Sequence, residues 1–167
     1  MKSTETPSRD RLMAVLDTVM DPEVPVLSVV ELGIVRELEV TDATVRVTVT
    51  PTYSGCPAMQ VIERDIAAAL KAHGAADVEI RTRHKPAWTT DWMPAVAREK
   101  LSAYGIAPPG PAAGQQLVSI GRRRPQPECP YCGSAATELR SEFGSTACKA
   151  IHVCSACQQP FEEFKPL

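Results

Sequence analysis

Residues 129–157 read CPYCGSAATELRSEFGSTACKAIHVCSAC. Two Cys-x-x-Cys pairs, Cys129/Cys132 and Cys154/Cys157, enclose twenty-one residues, 133 to 153. A two-residue gap lets two thiolates of one tight turn reach a single ion, and two such turns complete a tetrahedron. The interval lies just beyond the roughly 15–20 residues common in two-knuckle zinc sites. Pro130 and Gly133 suit the first turn, and Ser155-Ala156 the second. Residues 128–167 hold almost no apolar core of their own. Binding of Zn²⁺, worth roughly 10–16 kcal/mol in small zinc domains, would supply their folding free energy. The expected unit is a C-terminal β zinc ribbon with one structural zinc per chain.

Cys148 and His152 lie just before the second pair, and either could replace a knuckle cysteine. Four thiolates already close a zinc site, so Cys148 reads as a fifth, buried cysteine and His152 as a surface histidine. Tetrahedral sulfur also suits iron, as a mononuclear tetrathiolate or a cluster. Spacing leaves that choice open.

Upstream, 106–127 changes character. IAPPGPAAGQQ followed by GRRRPQP reads as a Pro/Gly/Arg linker with at most a short strand at Leu117–Ile120. Residues 1–105 read as α-β-β-α-β-α, an α+β domain with helices packed on a small sheet. Leu12, Val15, Leu16 and Val19 recur at helical spacing from Ser8 to Met20, and Asp21-Pro22 stops the run. DPEVPVL is a proline-stiffened loop, and Ser28 to Glu31 has capping-box spacing. The alternation in Ile34–Val40 is rough. In Thr44–Thr50 it is clean, with Val45, Val47 and Val49 on one face. A helix is expected from Pro57 to His73, a strand around Val78 and Ile80, and a last helix from Asp91 to Tyr104.

Composition narrows the function classes. Of 167 residues, 44% are hydrophobic and 23% charged, as in soluble globular proteins. A net charge of −2 gives no general field for nucleic acid or anionic lipid. The only basic run, Arg122–Arg124, reads as a solvated linker, which disfavours a nucleic-acid-binding ribbon. No run reaches the ~18 apolar residues of a membrane span, and the polar N-terminus resembles no secretory signal. A cytoplasmic location is expected, where thiols stay reduced and clustered cysteines bind metal. No Glu-x-x-His pair of a di-iron oxygenase is present, since Leu70, Arg81 and Lys149 stand three before the histidines.

Cys56 stands apart from the other five cysteines. It precedes Pro57, so it is expected at a helix N-cap, where the dipole lowers a thiol pKa. Thr50, Thr52, Tyr53 and Ser54 surround it with hydroxyls. Trp88 and Trp92 are read as core residues, with an interface as the alternative.

DPEVPVLSVVELGIVRELEV and TPTYSGCPAM, in that order, resemble the MIP18 family (domain of unknown function 59) over about Arg9–Arg83. PAWTTDWM, CPYCGS, SEFGSTACKA and PFEEFK extend the likeness to the PaaD family over nearly the whole chain. The resemblance implies a non-catalytic accessory or maturation protein of the phenylacetyl-CoA 1,2-epoxidase (ring oxygenase) system in phenylacetate catabolism. It implies help in assembling or delivering an Fe–S or other metal centre. Cys56 would be the functional thiol, with Asp21, Glu23 and Thr52 beside it, and an Fe–S cluster or Fe its transient cargo. The implied partners are other oxygenase subunits, or an Fe–S recipient such as the reductase, with neither nucleic acid nor membrane. The rival reading is an electron-transfer subunit with iron in the ribbon. Family members often carry a further cysteine after PFxxFK, where this chain has Pro166-Leu167.

Overall fold

The structure, a computed structural model, describes residues 7–41, 44–110 and 125–167. It divides into two compact units between Trp88 and Thr89.

In the first unit, helix α1 (Arg9–Leu16) starts at Ser8, whose hydroxyl accepts from the Arg11 N–H. Strands β1 (Val35–Val40), β2 (Val45–Val49) and β3 (Val78–Thr82) form a sheet in the order β1-β2-β3. The β1–β2 pair is antiparallel and the β2–β3 pair parallel, with helix α2 (Ala58–Ala72) as the crossover. Val45, Val47 and Val49 are almost fully buried, as the period-2 alternation requires. Met59, Ile62, Ile66 and Leu70 line the buried face of α2, and Leu12, Val15 and Leu16 that of α1. The rough alternation of β1 has a cause: the register shifts between Val35 and Glu37, leaving Arg36 as an extra residue. A bulge of this kind moves every later side chain to the other face. Trp88 is buried in this unit, with its indole N–H donating to the Leu32 carbonyl at 3.0 Å.

α1 ends sooner than its apolar spacing suggests, at Leu16, with Asp17 as C-cap. The Asp17 carboxylate accepts instead from the Ser28 hydroxyl at 2.5 Å. Ser28 and Glu31 form the expected capping box: the Ser28 N–H donates to Glu31 Oε2, and the Glu31 N–H to Ser28 Oγ.

In the second unit, a 3-10 turn at Thr90–Trp92 precedes helix α3 (Ala95–Tyr104). The sequence suggested one helix from Asp91. Pro94 splits it, because Met93 before it is held extended at ψ 124°. Gly105 ends α3 in the left-handed region, φ 88°, and strand β4 (Ile106–Ala107) follows. Strands β5 (Thr137–Ser141), β6 (Lys149–Cys154) and β7 (Pro160–Phe164) complete a sheet in the order β4-β7-β6-β5. β4 joins β7 in parallel, and the other pairs are antiparallel.

The α+β class and the C-terminal ribbon expected from the sequence are both present. The sequence-drawn boundary at residue 105 and the division at Trp88 differ by the 3-10 turn and α3, which stand with β4 and the ribbon. Backbone pairing of Ile106 and Ala107 with Glu162 and Glu163 ties them there. The Tyr131 ring also covers Gly105, where a Cβ would meet its hydroxyl at 2.8 Å. The strand considered at Leu117–Ile120 and the arginines 122–124 lie outside the described residues.

Candidate metal centre and thiol site

The two cysteine knuckles are built alike. In the first, the Gly133 N–H donates to the Cys129 carbonyl at 2.8 Å, and Gly133 is left-handed at φ 72°. In the second, the Gln158 N–H donates to the Cys154 carbonyl at 2.9 Å, and Gln158 is left-handed at φ 62°. Each turn folds its two sulfurs inward. The Ser155 N–H donates to the Ala136 carbonyl at 2.7 Å, anchoring the second knuckle to the chain just before β5.

The result is a four-sulfur cluster. The Sγ atoms of Cys129, Cys132, Cys154 and Cys157 all lie within 4.8 Å of one another. Cys129–Cys157 are 3.7 Å apart and Cys132–Cys154 3.6 Å. A tetrahedron with metal–sulfur bonds of ~2.3 Å has edges of ~3.8 Å, so these residues fit a single closed tetrathiolate ion. A cluster would distribute its thiolates over separate iron atoms, which favours the mononuclear form here. Backbone N–H groups serve the sulfurs as well. Those of Cys157 and Ala156 pull the Cys154 thiol down to about 6 against the effect of burial. The Ser134 N–H acts in the same sense on Cys132, but burial and the other three sulfurs push that thiol up to about 12. Without a cation, four thiolates this close repel one another, so a bound ion is what allows all of them to ionise. Ala107, Cys129, Cys154 and Phe161 form the small buried core around the site, with Cys157 packed against it.

Cys148 lies outside the four-sulfur group. It is buried, 3.1 Å from the Thr146 hydroxyl, as a packing cysteine should be. His152 corrects the sequence reading: it is buried, not on the surface. Its Nε2 is 2.9 Å from Glu163 Oε2, and its ring stacks on Phe161 at 5.5 Å. Strand alternation explains the grouping, because Phe161 and Glu163 share a face of β7 opposite His152. The PFEEF pattern carries that signal, yet spacing alone does not single out Glu163. His152→Ala should therefore destabilise the second unit by roughly 3 kcal/mol, through lost packing and a disturbed buried carboxylate. A denaturation midpoint equal to that of the parent would contradict this.

In the first unit, Cys56 does not take the cap position. Pro57 is the N-cap of α2, already helical at φ −67°, and Cys56 precedes it. Gly55, left-handed at φ 82°, lets the loop turn so that the Cys56 N–H donates to the Tyr53 carbonyl. The thiol also departs from expectation, since burial pushes it above the usual range. Its bonds with the Ala58 N–H and Tyr53 oppose the shift, while the charges of Glu23 and Asp21 reinforce it. The charges of the first signature loop thus act on the thiol of the second. Asp21 is buried and accepts from the N–H groups of Glu23 and Val24, both at 2.8 Å. Thr52 is half-buried in the same loop as Cys56. Because the raised pKa leaves less thiolate at pH 7, Cys56 should alkylate more slowly than a free cysteine. Asp21→Asn or Glu23→Gln should accelerate it, and rates measured from about pH 7 to 10 check both expectations.

Comparison with known proteins matches two family models along the chain. Residues 9–81 match the model of the iron–sulfur cluster assembly protein family, and residues 113–165 the PaaD zinc beta ribbon domain. An Escherichia coli relative, named as a component of a 1,2-phenylacetyl-CoA epoxidase, is 43% identical over 95% of this chain and 93% of its own. An Fe-S protein maturation auxiliary factor of Porphyromonas gingivalis is 34% identical over 52% of this chain and 83% of its own. The crystal structure of a Bacillus anthracis domain of unknown function 59 superposes with a TM-score of 0.52 at 27% identity. It covers 55% of this chain and 89% of that one. Fold and sites therefore define an iron–sulfur-assembly-type α+β domain joined to a four-cysteine zinc ribbon. The chain belongs to the PaaD family, together with that epoxidase component. No helix among the described residues is long and apolar enough to cross a membrane.

Proposed function

We propose that this protein is a non-catalytic accessory factor that helps install an Fe–S or other iron centre in a multicomponent phenylacetyl-CoA oxygenase. Its partners would be the other oxygenase subunits or their Fe–S-containing reductase, in the cytoplasm. The observation that carries the reading is a half-buried Cys56 just before α2, in the field of Glu23 and Asp21, in a chain of this family. Burial, reinforced by the charges of Glu23 and Asp21, favours the protonated thiol when no cargo is present. A cationic cargo would reverse that field: it neutralises Asp21 and Glu23, the thiol gives its proton to solvent, and the sulfur takes a metal coordination position. Once the cargo leaves, burial and the carboxylate field favour the thiol again, which takes a proton from solvent; this suits transfer better than storage.

The ribbon's four thiolates fill every position of a tetrahedral ion and leave no open site for substrate. We assign them a structural zinc, with Cys148 and His152 outside the ligand set. One observation supports the rival electron-transfer reading, since the same sulfur spacing accepts mononuclear iron. Metal analysis of protein purified without oxygen separates the two readings. Zinc at about one per chain supports the first, and red, iron-loaded protein the second.

A further inference from the structure

The β5–β6 connection is tied down at nearly every residue yet exposes one large apolar side chain. The Gly144 N–H donates to the Lys149 carbonyl at 2.8 Å, and the Ser145 N–H to Glu162 Oε1 at 2.6 Å. Glu162 also pairs with the buried Lys149 ammonium at 3.2 Å. Gly144 sits so close to this pair that a Cβ would meet Glu162 Oε1 at 2.7 Å. Phe143 donates its N–H to the Ser141 hydroxyl and accepts from it through its carbonyl. Despite these anchors, Phe143 is 71% exposed. The Lys165 ammonium stands 5.3 Å over its ring and donates to the Glu142 carbonyl. Among the described residues, no carboxylate lies within ion-pair distance of Lys165.

We propose that Phe143 is a preorganised anchor that inserts into a pocket of another protein, apolar at its floor and carrying a carboxylate at its rim. A loop ordered in advance does not incur the ordering cost of binding, and aromatic side chains, Phe among them, are enriched in interface cores. The carboxylate follows from charge. Lys165 enters the interface with the ring it covers, and a desolvated ammonium needs a counter-charge from the other side. With the accessory reading, the bound protein is an oxygenase subunit or the reductase; only that identity rests on the reading.

The test uses the full chain with its metal in place, co-expressed with the oxygenase subunits and reductase of its own source. Phe143→Ala should reduce the captured subunit roughly tenfold or more. Melting temperature and metal content should stay at parent values, and Phe143→Trp should retain binding. Lys165→Glu should also weaken capture, more strongly at low salt. Phe143→p-benzoylphenylalanine, irradiated in the same cells, should cross-link to one of those proteins next to a carboxylate-bearing pocket. Capture unchanged by Phe143→Ala, loss of capture only together with loss of metal, or a cross-link solely to a second copy of the chain would each overturn the proposal. If the cross-linked pocket belongs to a protein outside the oxygenase system, and Phe143→Ala abolishes binding of that purified protein, the anchor stands and the oxygenase reading falls.

Discussion

Cys129→Ser or Cys157→Ser is expected to release the ribbon metal and to unfold residues 125–167, while residues 7–88 stay folded. The effect is large because the cysteines are themselves part of the buried cluster around the site, with Ala107 and Phe161. Metal binding worth roughly 10–16 kcal/mol in comparable small domains would be lost or severely weakened. β4 should loosen with the ribbon, since it is paired to β7. The measurement is metal per chain together with hydrogen exchange resolved by segment: the ribbon and β4 exchange freely, and Leu12, Val47 and Ile66 stay protected. Cys148→Ser is the control and should keep its metal, because that sulfur lies outside the tetrahedron. Full metal content in both ligand variants would remove the four-cysteine assignment.

The second large effect is expected in cells. Cys56→Ala should leave the fold of the first unit and the ribbon metal intact, since Cys56 is only half-buried and lies before the helix, not within it. A stability cost below ~2 kcal/mol is expected, since truncating a half-buried thiol leaves little cavity. The same variant should abolish oxygenase maturation, read as whole-cell consumption of phenylacetate and as the iron content of the purified oxygenase and reductase. Asp21→Asn should give an intermediate loss. It keeps an acceptor for the Glu23 and Val24 N–H groups but removes one of the charges that add to the raised thiol pKa. A stable Cys56→Ala protein that supports full consumption would take Cys56 out of the mechanism.

Local chemistry explains which features were legible in the chain before folding. The knuckles were readable because Cys-x-x-Cys with a following left-handed residue is a self-contained turn, specified within five residues. The α2 helix and the β2 strand were readable because their burial is periodic: Met59, Ile62, Ile66 and Leu70 at helical spacing, and Val45, Val47 and Val49 at spacing two. The capping box at Ser28–Glu31 and the stop at Gly105 are likewise interactions between near neighbours.

What only the tertiary structure decided depends on residues far apart in sequence. The upward shift of the Cys56 thiol comes from burial, reinforced by carboxylates more than thirty residues upstream, so the helix dipole taken alone predicts the opposite sign. His152 is buried because Phe161 and Glu163 arrive from another strand to receive it. The two-residue strand at Ile106–Ala107 carries no propensity signal in its proline-rich surroundings, and it exists because β7 offers it an edge. The exposure of Phe143 could not be read either. Phe143 is 71% exposed although its neighbour Gly144 is packed between Glu162 and Lys149. Sequence sets a residue's chemistry and its near-neighbour geometry, whereas burial and the sign of the local field are properties of the assembled chain.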